Sequence, residues 1–358
     1  MSALKSPAED GDDLGADADS PRRGDHRLSM AAVVADRYGP PDILRVDALP
    51  PPVVADDEAL IQVRAATLCK GDVHLLTGRP HALRLAGYGL RRPAHRVPGQ
   101  SLAGWVCAVG RNVTGLRVGQ EVFGLVHGGA FAEFAAVPAD HLVPIPAHRT
   151  AEQAAALPLS GLTALQALRN AGRLQAGQRA LINGASGGVG TLAVQIAKAL
   201  GAEVTAVCSG RNVASVAALG ADRVVDYQRE DVARCGLTHD VILDLVGNRP
   251  PSDWLPLMTR EGVFVSGSAG PGGDWVGPLV WMARVAAVGA LSRRRMTPFL
   301  MKPNRPDLLT LGSLLERGQV LPVIDRRFSL DQTADGYRHL MEGHAQGISV
   351  IAMPQGAA

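Results

Sequence analysis

The sequence predicts an α/β protein in which a β-rich domain is interrupted by a doubly wound, parallel-sheet domain. Residues 30–157 contain short apolar or alternating runs separated by glycine and proline, which is typical of a β-barrel or sandwich. From residue 158 onward, short apolar strands alternate with segments of helical spacing, which indicates a parallel sheet covered on both faces. With 358 residues, 46% of them hydrophobic, the chain is long and apolar enough for two domains.

The predicted elements follow in chain order. In the β-rich part, strands are expected over 59–68, 101–109 and 121–126. In the α/β part, strands are expected over 179–183, 203–208, 223–225, 240–246 and 262–266, with helices over 188–200 and 213–219. A helix over 306–317 leads to residues 319–324, and the last thirty or so residues return to strand-type spacing.

Composition excludes several classes of function. The formal net charge is only +2, so neither nucleic acid nor an anionic membrane is an expected partner. The four cysteines show no paired spacing, which argues against a disulfide scaffold and favours a reducing compartment, the cytoplasm. The most apolar segment, 276–291, contains Pro278 and Arg284 and is too short to span a bilayer. We expect a buried or pocket-lining helix there.

The first 29 residues form a separate segment. They carry seven acidic residues and no aromatic one, so they cannot bury enough apolar surface to offset the entropy of ordering. They also lack the apolar stretch of a secretory signal. Residues 1–29 are therefore predicted to be a disordered tail.

The most informative stretch, 181–190, joins a predicted strand to a predicted helix. Gly187 would let the backbone approach a pyrophosphate, and Gly190 would let the helix pack closely on the strand. The helix N-terminus would add free N–H groups and a positive dipole end. Ala185 stands where the strict G-x-G-x-x-G pattern has its first glycine. The stretch predicts a dinucleotide site formed by Ala185, Ser186, Gly187, Gly188, Val189 and Gly190.

The second strand of this unit indicates which nicotinamide cofactor is bound. NAD-preferring sites place Asp or Glu there, against the ribose 2′-hydroxyl. Here the strand is followed by Ser209 and Arg211, with no carboxylate in the loop to repel a 2′-phosphate. Ser209 can donate a hydrogen bond, and Arg211 can pair with phosphate through its planar guanidinium. NADPH is therefore the predicted cofactor.

These residues resemble the medium-chain dehydrogenase/reductase superfamily, and in particular its zinc-independent quinone oxidoreductase (zeta-crystallin-like) branch. The run from Gly177 through the glycine-rich turn to Gln195 and Lys198 matches the signature of that branch. The resemblance implies a GroES-like catalytic domain over 30–157 and 325–358 and a Rossmann domain over 158–324, with the active site between them. It also implies a homodimer through an edge of the parallel sheet.

The resemblance implies further cofactor contacts. By position, Lys70 matches a residue near the pyrophosphate and Thr163 matches a contact at the domain junction. Tyr227 matches a residue near the adenosine phosphate, and Asn248 and Gly267 match positions beside the nicotinamide. For Thr163, Tyr227, Asn248 and Gly267, the alternative is an ordinary turn or cap role.

The resemblance also bears on metal binding. Zinc-dependent relatives need a cysteine, a His-Glu pair and a second Cys or Asp around one ion. Cys69 occupies the first position, but Gln100-Ser101 and Leu159 occupy the others, so no metal is expected. Without a Lewis acid, quinones and conjugated enones are easier hydride acceptors than simple carbonyls, because the incoming charge delocalises.

Cys69, Asp72 and His74 are the candidate catalytic residues. His74 matches a proton-relaying residue of the zinc relatives, and imidazole titrates near neutrality. Alternatively, Asp72 and His74 bond loop backbone and shape the cleft, and Cys69 is a small buried apolar group. Substrate contacts are expected from Tyr88, within 79–96, and from Trp281, within 275–300.

The sequence thus predicts an NADPH-dependent enzyme that transfers hydride to a quinone or an α,β-unsaturated carbonyl, with a proton from His74 or water. A specialised enoyl or ketone reductase of a biosynthetic pathway is the alternative within the enzyme class. A non-catalytic NADPH-binding regulatory protein of the same fold is the alternative outside it.

Overall fold

The computed structural model describes residues 29–353, apart from residues 83, 235, 271, 272 and 344. The predicted tail lies outside the described residues except for its last member. No helix within the described part of the chain is long and apolar enough to cross a membrane.

The first half of the β-rich domain is built around one long strand. Two strands form a separate antiparallel ribbon, β1 (Met30–Val34) and β2 (Arg45–Leu49). The remaining elements, in chain order, are β3 (Glu58–Leu68), α1 (Lys70–Thr77), β4 (Ser101–Val109), β5 (Glu121–Leu125), β6 (Phe134–Pro138), β7 (Leu142–Pro144) and α2 (Ala151–Ala155). Strand β3 pairs with both β4 and β6, and its burial alternates along its first half because one face covers the core.

The α/β domain contains a six-stranded parallel sheet. Its elements are α3 (Pro158–Leu165), β8 (Arg179–Asn183), α4 (Gly188–Ala199), β9 (Glu203–Cys208), α5 (Val213–Ala218), β10 (Arg223–Asp226), β11 (His239–Asp244), β12 (Met258–Ser266), α6 (Gly277–Ser292), β13 (Arg295–Pro298) and α7 (Arg305–Glu316). The strand order is β10-β9-β8-β11-β12-β13. The order reverses between β8 and β11, which opens a ligand crevice at their carboxyl ends.

The chain then returns to the β-rich domain through β14 (Ile324–Ser329), α8 (Thr333–Met341) and β15 (Ile348–Ala352). Strand β15 pairs antiparallel with β3 and closes a seven-stranded sheet. The predicted fold class, a GroES-like β domain interrupted by a Rossmann sheet, is confirmed. Helix α8 corrects the expectation of strand spacing throughout the last thirty residues. Its buried residues are Thr333, Gly336, Tyr337 and His339, and the partly buried Leu340 packs against the same core, a pattern that follows helical spacing instead.

Helix α6 also differs from expectation. Only one stripe of it is buried, formed by Gly277, Trp281, Val285 and Gly289 at four-residue spacing. Its opposite face is apolar yet exposed, and Leu291 is 86% exposed. The expectation of a buried or pocket-lining helix therefore holds for part of its surface, while the rest is exposed because α6 lies on the outside of the sheet next to its last strand.

The two domains share one large apolar core. Phe123 and Val143 of the β-rich domain belong to the same buried cluster as Leu162 and Leu311 of α3 and α7. Helix α3 packs closely against α7 because Gly161 has no side chain. An added Cβ on Gly161 would lie only 3.0 Å from a methyl group of Leu311. This continuous packing fixes the walls of the crevice between the domains.

Candidate active site

The glycine-rich turn between β8 and α4 is shaped by three glycines. Gly184 adopts a positive φ of 88°, which glycine favours, so the tight turn lies one residue before Ala185, the position of the first glycine in the strict pattern. An added Cβ on Gly190 would overlap the carbonyl oxygen of Gly184, so only glycine fits where the helix meets the strand. Around Gly187, by contrast, an added Cβ would touch only the Gly184 oxygen, at 3.6 Å. The open outer side of Gly187 and the uncapped first turn of α4 fit a pyrophosphate.

The loop after β9 carries the predicted ribose-phosphate contacts. Ser209 precedes a short 3-10 turn, and Arg211 is exposed on that turn. Tyr227 is 57% exposed, and its N–H donates to the Cys208 carbonyl, which places it beside the loop.

One expectation about this loop needs correction. No carboxylate lies in the loop itself, but Asp226 approaches it from the neighbouring strand β10. An added Cβ on Gly210 would lie 2.5 Å from its Oδ2 atom. The other oxygen of Asp226 accepts the Gln228 N–H at 3.1 Å. Asp226 is far from this loop in the sequence, so the contact was not predicted. It arises because the parallel register of β10 and β9 pairs Asp226 with Cys208.

At the carboxyl ends of β8, β11 and β12, the predicted nicotinamide contacts meet around Asp244. The Asn183 side chain donates to Asp244 Oδ1 at 2.8 Å and to Asn248 Oδ1 at 3.1 Å. The same Asp244 oxygen accepts the N–H groups of Val246 and Gly247, and the Asp244 carbonyl accepts the Gly267 N–H. Asp244 and Asn183 were missed from the sequence, although both are polar residues that end apolar strands.

Asp244 is an unusual carboxyl group. It is fully buried, and burial raises its pKa. Its Oδ2 atom has no hydrogen-bond partner among the described residues. The carboxyl group therefore organises the loop through one oxygen alone.

The candidate catalytic residues form a compact cluster at the start of α1. Asp72 is buried and accepts the Cys69 N–H at 2.9 Å, the Cys69 thiol at 3.0 Å and the Gln100 amide at 3.3 Å. Burial raises the pKa of the Cys69 thiol well above its usual range, and the adjacent Asp72 charge adds to this. Cys69 is therefore a neutral thiol that donates to Asp72.

The same cluster shows that these residues do not fit zinc. An added Cβ on Gly71 would lie 3.4 to 3.6 Å from Cys69 Sγ, Gln100 Nε2 and a methyl group of Leu159, so the three former ligand positions do meet. An amide and a leucine cannot replace imidazole and thiolate, so of these three positions only Cys69 offers a zinc ligand. Within the described residues, no three His, Cys, Asp or Glu side chains gather closely enough to hold a metal ion.

His74 occupies a bridging position rather than this cluster. Its Nδ1 atom lies 2.9 Å from the Arg79 carbonyl oxygen. Arg79 in turn pairs with Asp274 of the other domain at 3.0 Å, and the His81 ring packs edge-on against Trp275. These contacts favour the alternative in which Asp72 and His74 shape the cleft. Of the implied cofactor contacts, Lys70 is exposed on α1, and Thr163 donates to the Leu159 carbonyl on α3.

A cavity of about 440 Å³ lies in the β-rich domain and shares one residue, Gln100, with this cluster. Its walls also include Leu75, Tyr88, His95 and His127, and the Gln100 side chain donates to Asp72. Burial lowers the pKa of His127, and the neighbouring His141 and His95 lower it further. Tyr88 was predicted as a substrate contact, whereas His95, His127 and Gln100 were not.

The prediction that Trp281 contacts the substrate is wrong. Trp281 is 2% exposed and belongs to the core beneath the parallel sheet. Its indole N–H donates to Ser266 Oγ at 2.9 Å, so both its ring and its polar atom are already used. Spacing on α6 gave no sign of which face would meet the sheet.

Comparisons with known proteins agree with this architecture. Residues 55–147 match the alcohol dehydrogenase GroES-like domain, and residues 219–351 match the zinc-binding dehydrogenase domain. The chloroplast envelope quinone oxidoreductase homolog of Arabidopsis thaliana is 32% identical over 317 residues, which are 85% of this chain and 92% of that protein. The chain belongs to the medium-chain dehydrogenase/reductase superfamily.

Two further members of the superfamily illustrate its range. The NADPH-dependent alkenal/one oxidoreductase of Arabidopsis thaliana is 30% identical, over 98% of this chain and 85% of that protein. The solved quinone oxidoreductase of Coxiella burnetii is 29% identical and superposes with a TM-score of 0.79 over 90% of this chain and 99% of that one.

Proposed function

We propose that this protein is an NADPH-dependent reductase of quinones or α,β-unsaturated carbonyl compounds. The observation that carries the proposal is the 440 Å³ cavity whose lining residue Gln100 donates to Asp72, within a cluster that lacks a metal-ligand set. Such a site suits acceptors whose π-system takes up hydride charge without a Lewis acid. Relatives named quinone oxidoreductase and alkenal/one oxidoreductase support the same acceptor classes.

The residues of the cavity supply positioning and hydrogen bonds. When bound, the nicotinamide cofactor supplies the hydride. Leu75 and Leu76 exclude water from one side, while the Gln100 amide and the Tyr88 hydroxyl are donors for an acceptor oxygen. The proton comes from water, or from His74 when both of its ring nitrogens carry hydrogen: Nδ1–H donates to the Arg79 carbonyl, so Nε2–H is the one that can be given up.

The proposal is tested by following NADPH oxidation against ortho- and para-quinones, short enones, saturated ketones and enoyl thioesters. Preferential turnover of quinones or enones supports it. Turnover confined to saturated ketones or enoyl thioesters favours the alternative, a specialised biosynthetic reductase. Tight NADPH binding without turnover of any acceptor would instead indicate a regulatory protein.

The preference for NADPH over NADH rests on Ser209 and Arg211 and is opposed by the nearby Asp226. Arg211→Ala is expected to raise the KM for NADPH about 10- to 100-fold, since charge-assisted hydrogen bonds to phosphate are lost. The KM for NADH should barely change. Asp226→Asn, the matched variant, should lower the KM for NADPH by removing a like charge. Equal use of both cofactors by the unaltered protein would contradict the assignment.

Assembly and location complete the proposal. The parallel sheet has open edges at β10 and β13, which supports a homodimer through one of them. The free thiols Cys69, Cys107 and Cys208 suit the cytoplasm. Light scattering after gel filtration, and fractionation of the source cells, test these two points.

A further inference from the structure

A second cavity, of about 570 Å³, lies at the edge of the parallel sheet. It is formed where the chain segment before β8, the last turns of α6 and strand β13 come together. Small residues of α6, Ala286, Gly289 and Ala290, leave the space open. Four arginines line it, and we call it the arginine cavity: Arg173, Arg293, Arg294 and Arg295.

The charges of the arginine cavity are not balanced by its surroundings. No acidic residue occurs in the described lining. In the described part of the chain, Arg173, Arg293 and Arg295 make no ion pair, and Arg294 donates only to the Thr259 carbonyl, at 2.7 Å. Four like charges around one concavity repel one another and concentrate a positive potential there.

Two of these arginines are also held in a rare backbone conformation. Arg173 and Arg293 both have a φ of 56°, in the left-handed region. Arg293 is the C-cap of α6, where a left-handed residue commonly ends a helix, and Arg173 turns the chain before β8. These two turns bring both side chains to the cavity, which they line.

The arginine cavity is separate from the cofactor crevice. The glycine-rich turn follows the carboxyl end of β8, whereas Asn170 and Arg173 precede its amino end. Likewise Arg293, Arg294 and Arg295 lie at the amino end of β13. The phosphates of a cofactor bound in the crevice therefore cannot pair with the arginines of this cavity.

We propose that the arginine cavity is a binding site for a phosphate-bearing anion. Guanidinium groups match phosphate oxygens in pairs, and the volume is that of a small-molecule site. The phosphate belongs either to a free metabolite or to the headgroup of an anionic lipid, since the exposed apolar face of α6 adjoins the cavity.

The test uses the full chain saturated with NADPH, so that the cofactor site cannot take up the probe. Inorganic pyrophosphate is titrated by calorimetry at constant ionic strength, and sedimentation with phosphatidylglycerol or phosphatidylcholine vesicles forms the second arm. The double variant Arg293→Gln/Arg295→Gln should weaken pyrophosphate binding at least tenfold. Arg117→Gln, which removes one exposed charge in the β-rich domain, should change it less than twofold.

Each outcome decides the proposal. Pyrophosphate binding that the double variant loses supports a free phosphate ligand. Sedimentation with phosphatidylglycerol but not phosphatidylcholine, again lost in the double variant, supports a lipid headgroup. Absence of binding in both arms, or binding that the double variant retains, would overturn the proposal. Unchanged NADPH affinity and circular dichroism establish that the variant is folded.

Discussion

Asp72 and Asp244 are buried carboxyl groups, and each holds a loop of the crevice in place through hydrogen bonds. Asp72 joins the start of α1 to Gln100, whereas Asp244 joins β8 to the turn that carries Asn248. Burial raises the pKa of both groups. At neutral pH, ionising such a buried group lowers the free energy of unfolding. The hydrogen bonds that each carboxyl group accepts order its loop.

Asp244→Asn tests this cost. Asn keeps an acceptor for the Val246 and Gly247 N–H groups but cannot ionise. Because the folded pKa of Asp244 is raised, its stabilising contribution is complete below the unfolded pKa of about 3.9 and is lost as pH rises through the folded value. The free energy of unfolding of the variant should therefore rise, relative to that of the unaltered protein, by up to about 1.4 kcal/mol per pH unit over that window.

The measurement is urea unfolding at a series of pH values, with Asp57→Asn as the baseline for removing one exposed carboxylate. A stability difference that stays constant from acid to neutral pH would contradict the account.

At this scale the sequence predicts best where local backbone geometry decides. Gly190 could be assigned because a strand, a turn and a helix surround it in the sequence. Asp226 and Trp281 could not, because the neighbour of each is set by strand register or by which face of a helix meets the sheet. His95 and His127 became pocket residues through tertiary packing alone.

The turn between β8 and α4 combines two demands within four residues. Gly190 serves the packing of the helix on the strand, whereas Gly187 leaves the outer face of the turn open. Gly187 has an extended backbone, with φ −80° and ψ 174°, which any residue adopts. The fold therefore requires glycine at 190, whereas at 187 we expect the requirement to come from the proposed cofactor.

Substituting alanine at each position separates the two demands. Gly187→Ala should leave stability within about 0.5 kcal/mol of the unaltered protein, since the added methyl group meets no close atom. Its Kd for NADPH should rise about tenfold or more, because the methyl group occupies the approach of the pyrophosphate. Gly190→Ala should cost about 1–3 kcal/mol through overlap with the Gly184 carbonyl.

Thermal unfolding and NADPH fluorescence titration measure both effects. Equal loss of stability in the two variants would show that Gly187 is also a packing residue.

Elements were predictable where a pattern persisted for several residues. Five strands of the parallel sheet follow from short apolar runs at regular spacing, and β8 and β9 were predicted with the bounds that the structure has. The sixth strand, β13, was not predicted, because its four residues include only one apolar side chain between Arg295 and Pro298, Met296. Helix α8 was missed because its few apolar residues lie between charged ones. Helix α6 was placed correctly but oriented wrongly, since an almost uniformly apolar helix carries no signal for its buried face.

At the scale of the whole molecule, the two domains are joined by backbone as well as by side chains. The Gly347 N–H, just before β15, donates to the Ser186 carbonyl in the glycine-rich turn at 2.9 Å. An added Cβ on Gly188 would lie 3.1 Å from the side chain of Ile348. The glycine-rich turn between β8 and α4 thus packs against the start of strand β15 of the other domain, next to the shared apolar core.

Because of this coupling, we expect the chain to unfold in one cooperative transition. NADPH binds only the folded turn, so at a hundredfold excess over its Kd it should stabilise the entire chain by about 2.7 kcal/mol. Calorimetry should show a single peak that moves to higher temperature, and Gly187→Ala, with its Kd raised about tenfold, should reduce the stabilisation to about 1.4 kcal/mol at the same cofactor concentration. Two peaks, with only one of them moved by NADPH, would mean that the domains unfold independently. The contacts of Gly347 and Ile348 would then be too weak to carry the cofactor's stabilisation into the β-rich domain, and the catalytic cluster on α1 would gain nothing from it. A single shifted peak would show that cofactor binding stabilises the β-rich domain as well, and with it the cluster of Cys69, Asp72 and Gln100, through the turn and strand β15.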